Sequence, residues 1–216
     1  MTNTVKRILV SAGMAAAVIG AGVLEYHYIP AVRWLAVLVV MGITAEFLAA
    51  AIKGLRNKDS KVFAEIAIVC LAPYALFLGA AAYFVGTKPG IMLLLLLVIS
   101  AADTGGWFFG KWFGTTKLWQ KISPNKTWTG QIAGIICGAG IAILYGILGG
   151  GGFMPQLMWI GIAVALLSQY GDLTASWIKR KFGVDDFSRA LPGHGGLLDR
   201  FDGWIYVLPI TWLAMM

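Results

Sequence analysis

Hydrophobic positions in this chain gather into long unbroken blocks. They neither alternate nor recur on one face of a short helix. The blocks fall at about 8–24, 31–52, 62–86, 91–110, 130–149, 155–178 and 198–216. Each approaches the roughly 20 apolar residues that an α-helix needs to cross a bilayer. The pattern therefore predicts an all-α, polytopic transmembrane bundle of about seven spans, with the fourth and sixth continuing beyond the bilayer as polar helices. Gly149–Gly152 reads as a flexible connector between two spans. There is no internal repeat, low-complexity tract or soluble domain, so residues 1–216 are expected to form a single integral-membrane domain.

Composition supports this reading. Of the 216 residues 59% are hydrophobic and 12% charged, and the mean hydropathy is +0.78. The net charge of +7 does not point to nucleic acid, because the cations lie in short loops between apolar runs. Lys6 and Arg7 precede the first span, Lys53, Arg56, Lys58 and Lys61 follow the second, and Lys111, Lys117, Lys121 and Lys126 follow the fourth. Lys179, Arg180, Lys181, Arg189 and Arg200 follow the sixth. Seven spans put all of these on one side and leave Arg33 and Lys88 on the other. The positive-inside rule makes the crowded side cytoplasmic, with the N-terminus in and the C-terminus out. Anionic lipid headgroups are a natural partner for such loops. The first apolar run continues past Ala15–Ala17, so it reads as an uncleaved span and not as a secretory signal. Cys70 and Cys137 lie inside apolar runs and suggest neither a disulfide nor a zinc site.

Against this background one stretch stands out, from Ser168 to Gly203. It holds Asp172, Asp185, Asp186, Asp199 and Asp202, five of the ten acids, together with five of the cations and His194. Asp172, Ser176, Lys179 and Arg180 fall at i, i+4, i+7 and i+8, one face of a helix that Gly183 is placed to end. After Pro192, the glycines 193, 195 and 196 permit close backbone approach, and their amides suit a phosphate at the start of a new helix. Asp199 and Asp202, at i and i+3, face the same way. Paired carboxylates beside glycine amides and Lys/Arg suggest a site for Mg²⁺ and phosphate oxygens.

A second informative region runs from Ser100 to Gly130. Asp103 follows the longest apolar run, where a charge costs about 2.5–3.5 kcal/mol and needs a partner or a wet cavity. Gly105 and Gly106 are expected to loosen the helix there. Ser123-Pro124-Asn125-Lys126-Thr127-Trp128 reads as a turn whose hydroxyls and cation can hold phosphate.

The 176–202 segment resembles the signature of phosphatidate cytidylyltransferases, the CDP-diacylglycerol synthases. Ser176, Lys179, Arg180, Asp186, Pro192, Gly193, His194, Gly195, Gly196, Asp199, Arg200 and Asp202 match it at the right spacing. Asp103-Thr104-Gly105, Phe109-Gly110-Lys111 and Ser123-Pro124 with Lys126, Thr127 and Gly130 resemble the same family. The departures are Asp185 where the family has Lys, Ala175 where Glu is common, and Gly203 where Ser often follows. The resemblance covers 96–216, the expected catalytic half. Residues 1–95 carry no motif, and the chain is shorter than is usual for the family, a difference expected at the N-terminal end.

The resemblance implies that CTP and phosphatidate give CDP-diacylglycerol and pyrophosphate at a cytoplasmic face, in a bacterial inner membrane, with a homodimer through span faces as a further expectation. Asp199 and Asp202 are then the expected metal ligands, with Asp172 and Asp103 completing the set for Mg²⁺, with or without a second metal or a monovalent cation. Lys179, Arg180 and Arg200 would neutralise phosphates, as would Lys126 with Ser123. Thr127, Ser176, Gly195 and Gly196 join the substrate contacts, Asp186 is the functional acid beside Asp185, and His194 is a donor or positioner. Plainer accounts stand beside these. Asp103 can be a structural hydrogen-bonding residue, Lys179–Lys181 a topology signal, and His194 a turn residue. Glu65 reads as an i,i+4 partner of Lys61, and Glu46 has no assigned role. A CTP-dependent polyprenol kinase and a small transporter are the alternative functions.

Overall fold

A computed structural model of the chain describes residues 31–56, 60–192 and 195–216. The expected first span, 8–24, lies outside the described residues, as do Gly193 and His194. The remaining helices follow the apolar blocks closely. They are α1 (Ala31–Gly54), α2 (Lys61–Gly86), α3 (Pro89–Phe113), α4 (Trp128–Leu148) and α5 (Pro155–Phe182), then the one-turn α6 (Leu198–Phe201) and α7 (Trp204–Ala214). Among the described residues, α1 to α5 are long and apolar enough to cross a membrane. Side chains such as Val69, Leu76, Ile136 and Leu148 stay exposed on them, as lipid-facing residues do. The chain is an integral membrane protein, and its described residues are mostly helix.

Three differences from the sequence expectation have physical causes. The 198–216 block is not one helix. Asp202 and Gly203 separate α6 from α7, which at 11 residues is a short apolar helix. The 115–127 segment is not only a turn. It forms an antiparallel hairpin, β1 (Lys117–Trp119) with β2 (Ser123–Thr127), in register Lys117 with Thr127 and Trp119 with Ser123. Pro124 is tolerated because a two-stranded sheet consists of edge strands. Finally, Gly105 and Gly106 do not loosen α3, which runs through them unbroken. Their lack of a side chain serves contact between helices instead.

The chain divides into two compact units. Unit one comprises the described residues of 31–89, 178–202 and 208–216, and unit two comprises 90–177 and 203–207. In unit one, α1 packs on α2. Phe47 and Phe63 meet Phe182 with ring centroids 5.7 and 5.5 Å apart, and Phe47 stacks on Phe187 at 6.2 Å. Phe182 and Phe187 are buried. This cluster pins the end of α5 and the segment after it to the ends of α1 and α2.

Unit two is organised by small residues on α4. Gly130, Gly134, Gly138, Ala142 and Gly146 recur every fourth position and are all buried. A Cβ on Gly138 would lie 2.9 Å from Ala165 Cβ, and one on Gly134 would lie 2.7 Å from the Ala102 carbonyl oxygen. From α3, a Cβ on Gly105 would lie 2.5 Å from Cys137 Sγ, and one on Gly110 would lie 3.2 Å from Gly130 Cα. Small-xxx-small spacing lets helices approach backbone to backbone where hydrophobic driving force between them is weak.

Candidate active site

The α3–α4 approach creates the site in unit two. Asp103 follows the apolar run of α3 by sequence. The hairpin returns the chain so that Thr127 caps α4, its Oγ1 accepting from Gly130 N at 3.1 Å. Lys126, one residue earlier, then reaches Asp172 of α5, with Nζ 2.5 Å from Oδ2. The other oxygen of Asp172 accepts from Ser176 Oγ at 3.4 Å, the i,i+4 contact expected from the polar stripe. Asp103, Lys111, Lys126, Thr127, Gln169 and Asp172 are among the residues lining one cavity of about 580 Å³. Lys111 sits over the Trp107 ring, 5.0 Å from its centroid. Gln169 donates Nε2 to the Gln131 carbonyl at 3.1 Å. Its buried Oε1 has no partner among the described residues.

Two carboxylates and three lysines, Lys111, Lys117 and Lys126, around one cavity can hold a polyanion and a hard cation. Mg²⁺ is commonly held by one or two carboxylates together with substrate phosphates and water, and Asp103 and Asp172 are the two carboxylates on this cavity that could contribute to such a set. Among the described residues, no three His, Cys, Asp or Glu gather into a site that would hold a metal alone. Ser123, expected beside Lys126, lies in β2 opposite Trp119 and is not among the cavity's lining residues. Thr127 is, though its hydroxyl oxygen also serves as the helix cap.

Unit one holds the rest of the signature. Helix α5 ends at Phe182, and Gly183 takes a left-handed φ of 69°. Gly183 N donates to the Arg180 carbonyl at 3.3 Å and Val184 N to that of Lys179 at 3.0 Å, the paired bonds of a glycine-terminated helix. This reversal brings Asp185 to Arg180, Nη1 to Oδ1 at 3.1 Å, with the Asp185 side chain 97% exposed. The reversal makes Arg180 the partner of Asp185.

Beyond the reversal lies a loop held by carboxylates. Asp199 Oδ1 pairs with Lys179 Nζ at 2.7 Å, with side chains only 5% and 15% exposed. Its Oδ2 accepts from Phe187 N at 3.1 Å and Gly196 N at 2.9 Å. Gly195 has φ 81°, and a Cβ there would lie 3.0 Å from Asp199 Oδ2 and 3.3 Å from Asp186 Cγ. Leu191 N donates to the Gly195 carbonyl at 2.9 Å. The Gly196 amide, expected to serve a phosphate, is thus engaged by Asp199. Asp186 and Arg200 are exposed, and Asp202, at the end of α6, is half-buried. Asp103 and Asp172 therefore share the unit-two cavity, while Asp199 and Asp202 belong to unit one.

Sequence reasoning missed Glu46. This buried residue of α1 accepts from Ser188 Oγ at 2.7 Å and from Leu197 N and Leu198 N at 2.9 Å each. The one available signal was an acid eight residues inside the end of an apolar helix. Gln169 was also missed; only its place three residues before Asp172 on α5 hinted at it.

The long apolar helices make this an integral membrane protein, and one of its units gathers carboxylates and lysines around a cavity. The chain belongs to the cytidylyltransferase family, whose profile matches residues 2–216. It is 37% identical over 162 residues to a protein of Staphylococcus aureus (strain COL), covering 71% of this chain and 60% of that one. A Staphylococcus epidermidis protein is 32% identical over 186 residues, covering 82% and 70%. A Staphylococcus saprophyticus protein is 43% identical over 120 residues, covering 55% and 46%. All three are named phosphatidate cytidylyltransferase. The chain thus spans about 60% of the length of the Staphylococcus aureus relative.

Proposed function

We propose that this protein makes CDP-diacylglycerol and pyrophosphate from CTP and phosphatidate. The observation that carries this reading is the Lys126–Asp172 pair beside Asp103. It joins two motif-bearing segments, far apart in sequence, at one cavity. The names of the relatives agree with it.

The phosphate monoester of phosphatidate is already ionised near neutral pH, so its oxygen attacks the α-phosphorus of CTP without a general base. A phosphorus–oxygen bond forms to the lipid phosphate, and the bond from the α-phosphorus to the bridging oxygen breaks. Pyrophosphate leaves with that electron pair. Lys126 and Lys111 screen the like charges of the two substrates and stabilise the leaving group. Asp103 and Asp172 would hold Mg²⁺, which would supply polarisation of the phosphoryl oxygens. Thr127 adds a hydroxyl donor and Ser176 orients Asp172, while Ser123, outside the cavity's lining, keeps its substrate role on the motif alone.

The matched residues of unit one receive roles in the same reaction on the motif. Lys179, Arg180 and Arg200 neutralise phosphate charge, Asp186 acts as the functional acid, Asp199 and Asp202 would serve as metal ligands, and His194 is a donor. Gly195 supports phosphate through its amide, and Gly196 does so once its amide leaves Asp199. A cation at Asp199 would have to exchange with Lys179. A second metal or monovalent cation, a homodimer, a bacterial inner membrane and a cytoplasm-facing site with N-terminus in and C-terminus out complete the proposal.

The test uses purified protein, Mg²⁺ and CTP labelled at either the α or the γ position. Label from the α-phosphate entering lipid, with pyrophosphate released only when phosphatidate is present, supports the reading. Entry of γ-label alone makes the protein a lipid kinase and overturns it. For orientation, a cysteine in place of Ser188 should resist an impermeant thiol reagent in intact cells and react after lysis. Labelling of intact cells refutes the proposed topology.

A further inference from the structure

We infer that Glu46 is a positioning residue for the signature loop, an intramembrane carboxylate that fixes the 188–198 segment from outside the catalytic half. The inference rests on the proposed role of that segment in cytidylyl transfer.

Glu46 lies on α1, in a half of the chain that carries no motif. It is eight residues from the end of that helix and is buried. A carboxylate at such depth is costly unless it finds donors. All three of its partners are donors, and they come from both ends of one loop. Ser188 Oγ lies before the Pro192 turn, and Leu197 N and Leu198 N lie after it. Ser188 Oγ in turn accepts from Ala190 N at 3.0 Å. The bond thus passes from the α1 carboxylate through a hydroxyl to the backbone.

The same loop is also tied through Asp199, whose Oδ2 again takes one amide from each side, Phe187 and Gly196. The two clamps explain the paired glycines. A side chain at 195 would crowd Asp199, and one at 196 would run into Glu46 Oε2 and lie 2.8 Å from Ser188 Oγ. Gly196 is thus the gap through which α1 reaches the loop. Asp199 belongs to the loop it ties, whereas Glu46 belongs to a transmembrane helix. Glu46 therefore ties the loop to α1 by hydrogen bonds, beside the stacking of Phe47 on Phe187.

A carboxamide cannot reproduce this contact. Glu46→Gln has one acceptor oxygen and one N–H₂ group. Whichever way it turns, the amide of Leu197 or of Leu198 faces another donor. The experiment compares wild type with Glu46→Gln, and with Ser188→Ala, which removes one of the three contacts and keeps the carboxylate. Amide hydrogen exchange is read without nucleotide or lipid, and kcat and KM for CTP are read with phosphatidate.

Glu46→Gln is expected to exchange the Leu197 or Leu198 amide roughly tenfold faster while α2 keeps wild-type protection. Its kcat should fall about 10- to 100-fold, the scale of loss from an ångström of misplacement, with KM for CTP within about twofold of wild type. Ser188→Ala should show a smaller loss in the same direction. Unchanged exchange in both variants overturns the clamp, and faster exchange with kcat unaltered overturns its positioning role. Should wild type not turn over these substrates, the proposed function fails and the exchange result alone decides the clamp.

Discussion

The Lys179–Asp199 pair should be asymmetric, with loss of the acid costing far more than loss of the base. Asp199→Ala strands three donors. The Phe187 and Gly196 amides lose their acceptor, and each unsatisfied group costs about 1–3 kcal/mol. Lys179 keeps its charge at 15% exposure with no anion beside it. Breaking a fully buried pair costs about 3–5 kcal/mol, and partial hydration of Lys179 lowers that to roughly 2. The sum is about 4 kcal/mol or more. Lys179→Met keeps the length and packing of the side chain, including its place 5.7 Å from the Phe187 ring centroid. It leaves Asp199 with two backbone donors, at a cost of about 1.5–3 kcal/mol for one charged hydrogen bond. Equilibrium unfolding in mixed micelles should therefore place Asp199→Ala at least about 1 kcal/mol below Lys179→Met. Equal stabilities, or the reverse order, would show that Asp199 does not hold the loop and would refute the reasoning.

Other expectations follow from single contacts. Lys126→Met should lower turnover by two orders of magnitude or more, about 2.7 kcal/mol or more in the barrier, with normal insertion; activity within threefold of wild type would remove Lys126 from the cavity chemistry. Asp185→Ala should stay near wild-type activity, because its contact with Arg180 is solvent-exposed and worth little, whereas Asp186→Ala should be severely impaired; the opposite pattern would shift the motif match by one residue. Gly105→Ala should destabilise by about 1–3 kcal/mol through overpacking against Cys137, read as a lower Tm in detergent, and an unchanged Tm would deny the close approach of α3 and α4.

The helices were legible because a bilayer demands length. The apolar blocks at 31–52, 62–86, 91–110, 130–149 and 155–178 became α1 to α5 with ends within a few residues. Gly183 was legible as a stop because an interrupted stripe followed by glycine has one common backbone solution. The hairpin was not, since Ser123–Thr127 shows no alternation and its strands are three and five residues long. Gly105 and Gly106 were misread because a helix glycine looks alike whether it weakens a helix or admits a neighbour; only the Cys137 and Gly130 contacts decide. Glu46 was invisible because two of its partners are backbone amides 151 and 152 residues away, and amides leave no mark in a sequence. Asp103, Lys126 and Asp172 were named from spacing and motif, but their convergence on one cavity is a tertiary fact.

The glycines lining that cavity bear on how the bilayer acts on it. Gly106, Gly110, Gly114 and Gly130 contribute backbone where most cavities present side chains. Such a wall has no rotamers to exchange, so its width follows the spacing of α3 and α4. Lateral pressure from the surrounding lipid acts on that spacing directly. A change in acyl-chain packing would therefore reach the cavity as a rigid shift of whole helices, giving the lipid matrix mechanical access to the place where the protein is proposed to process lipid.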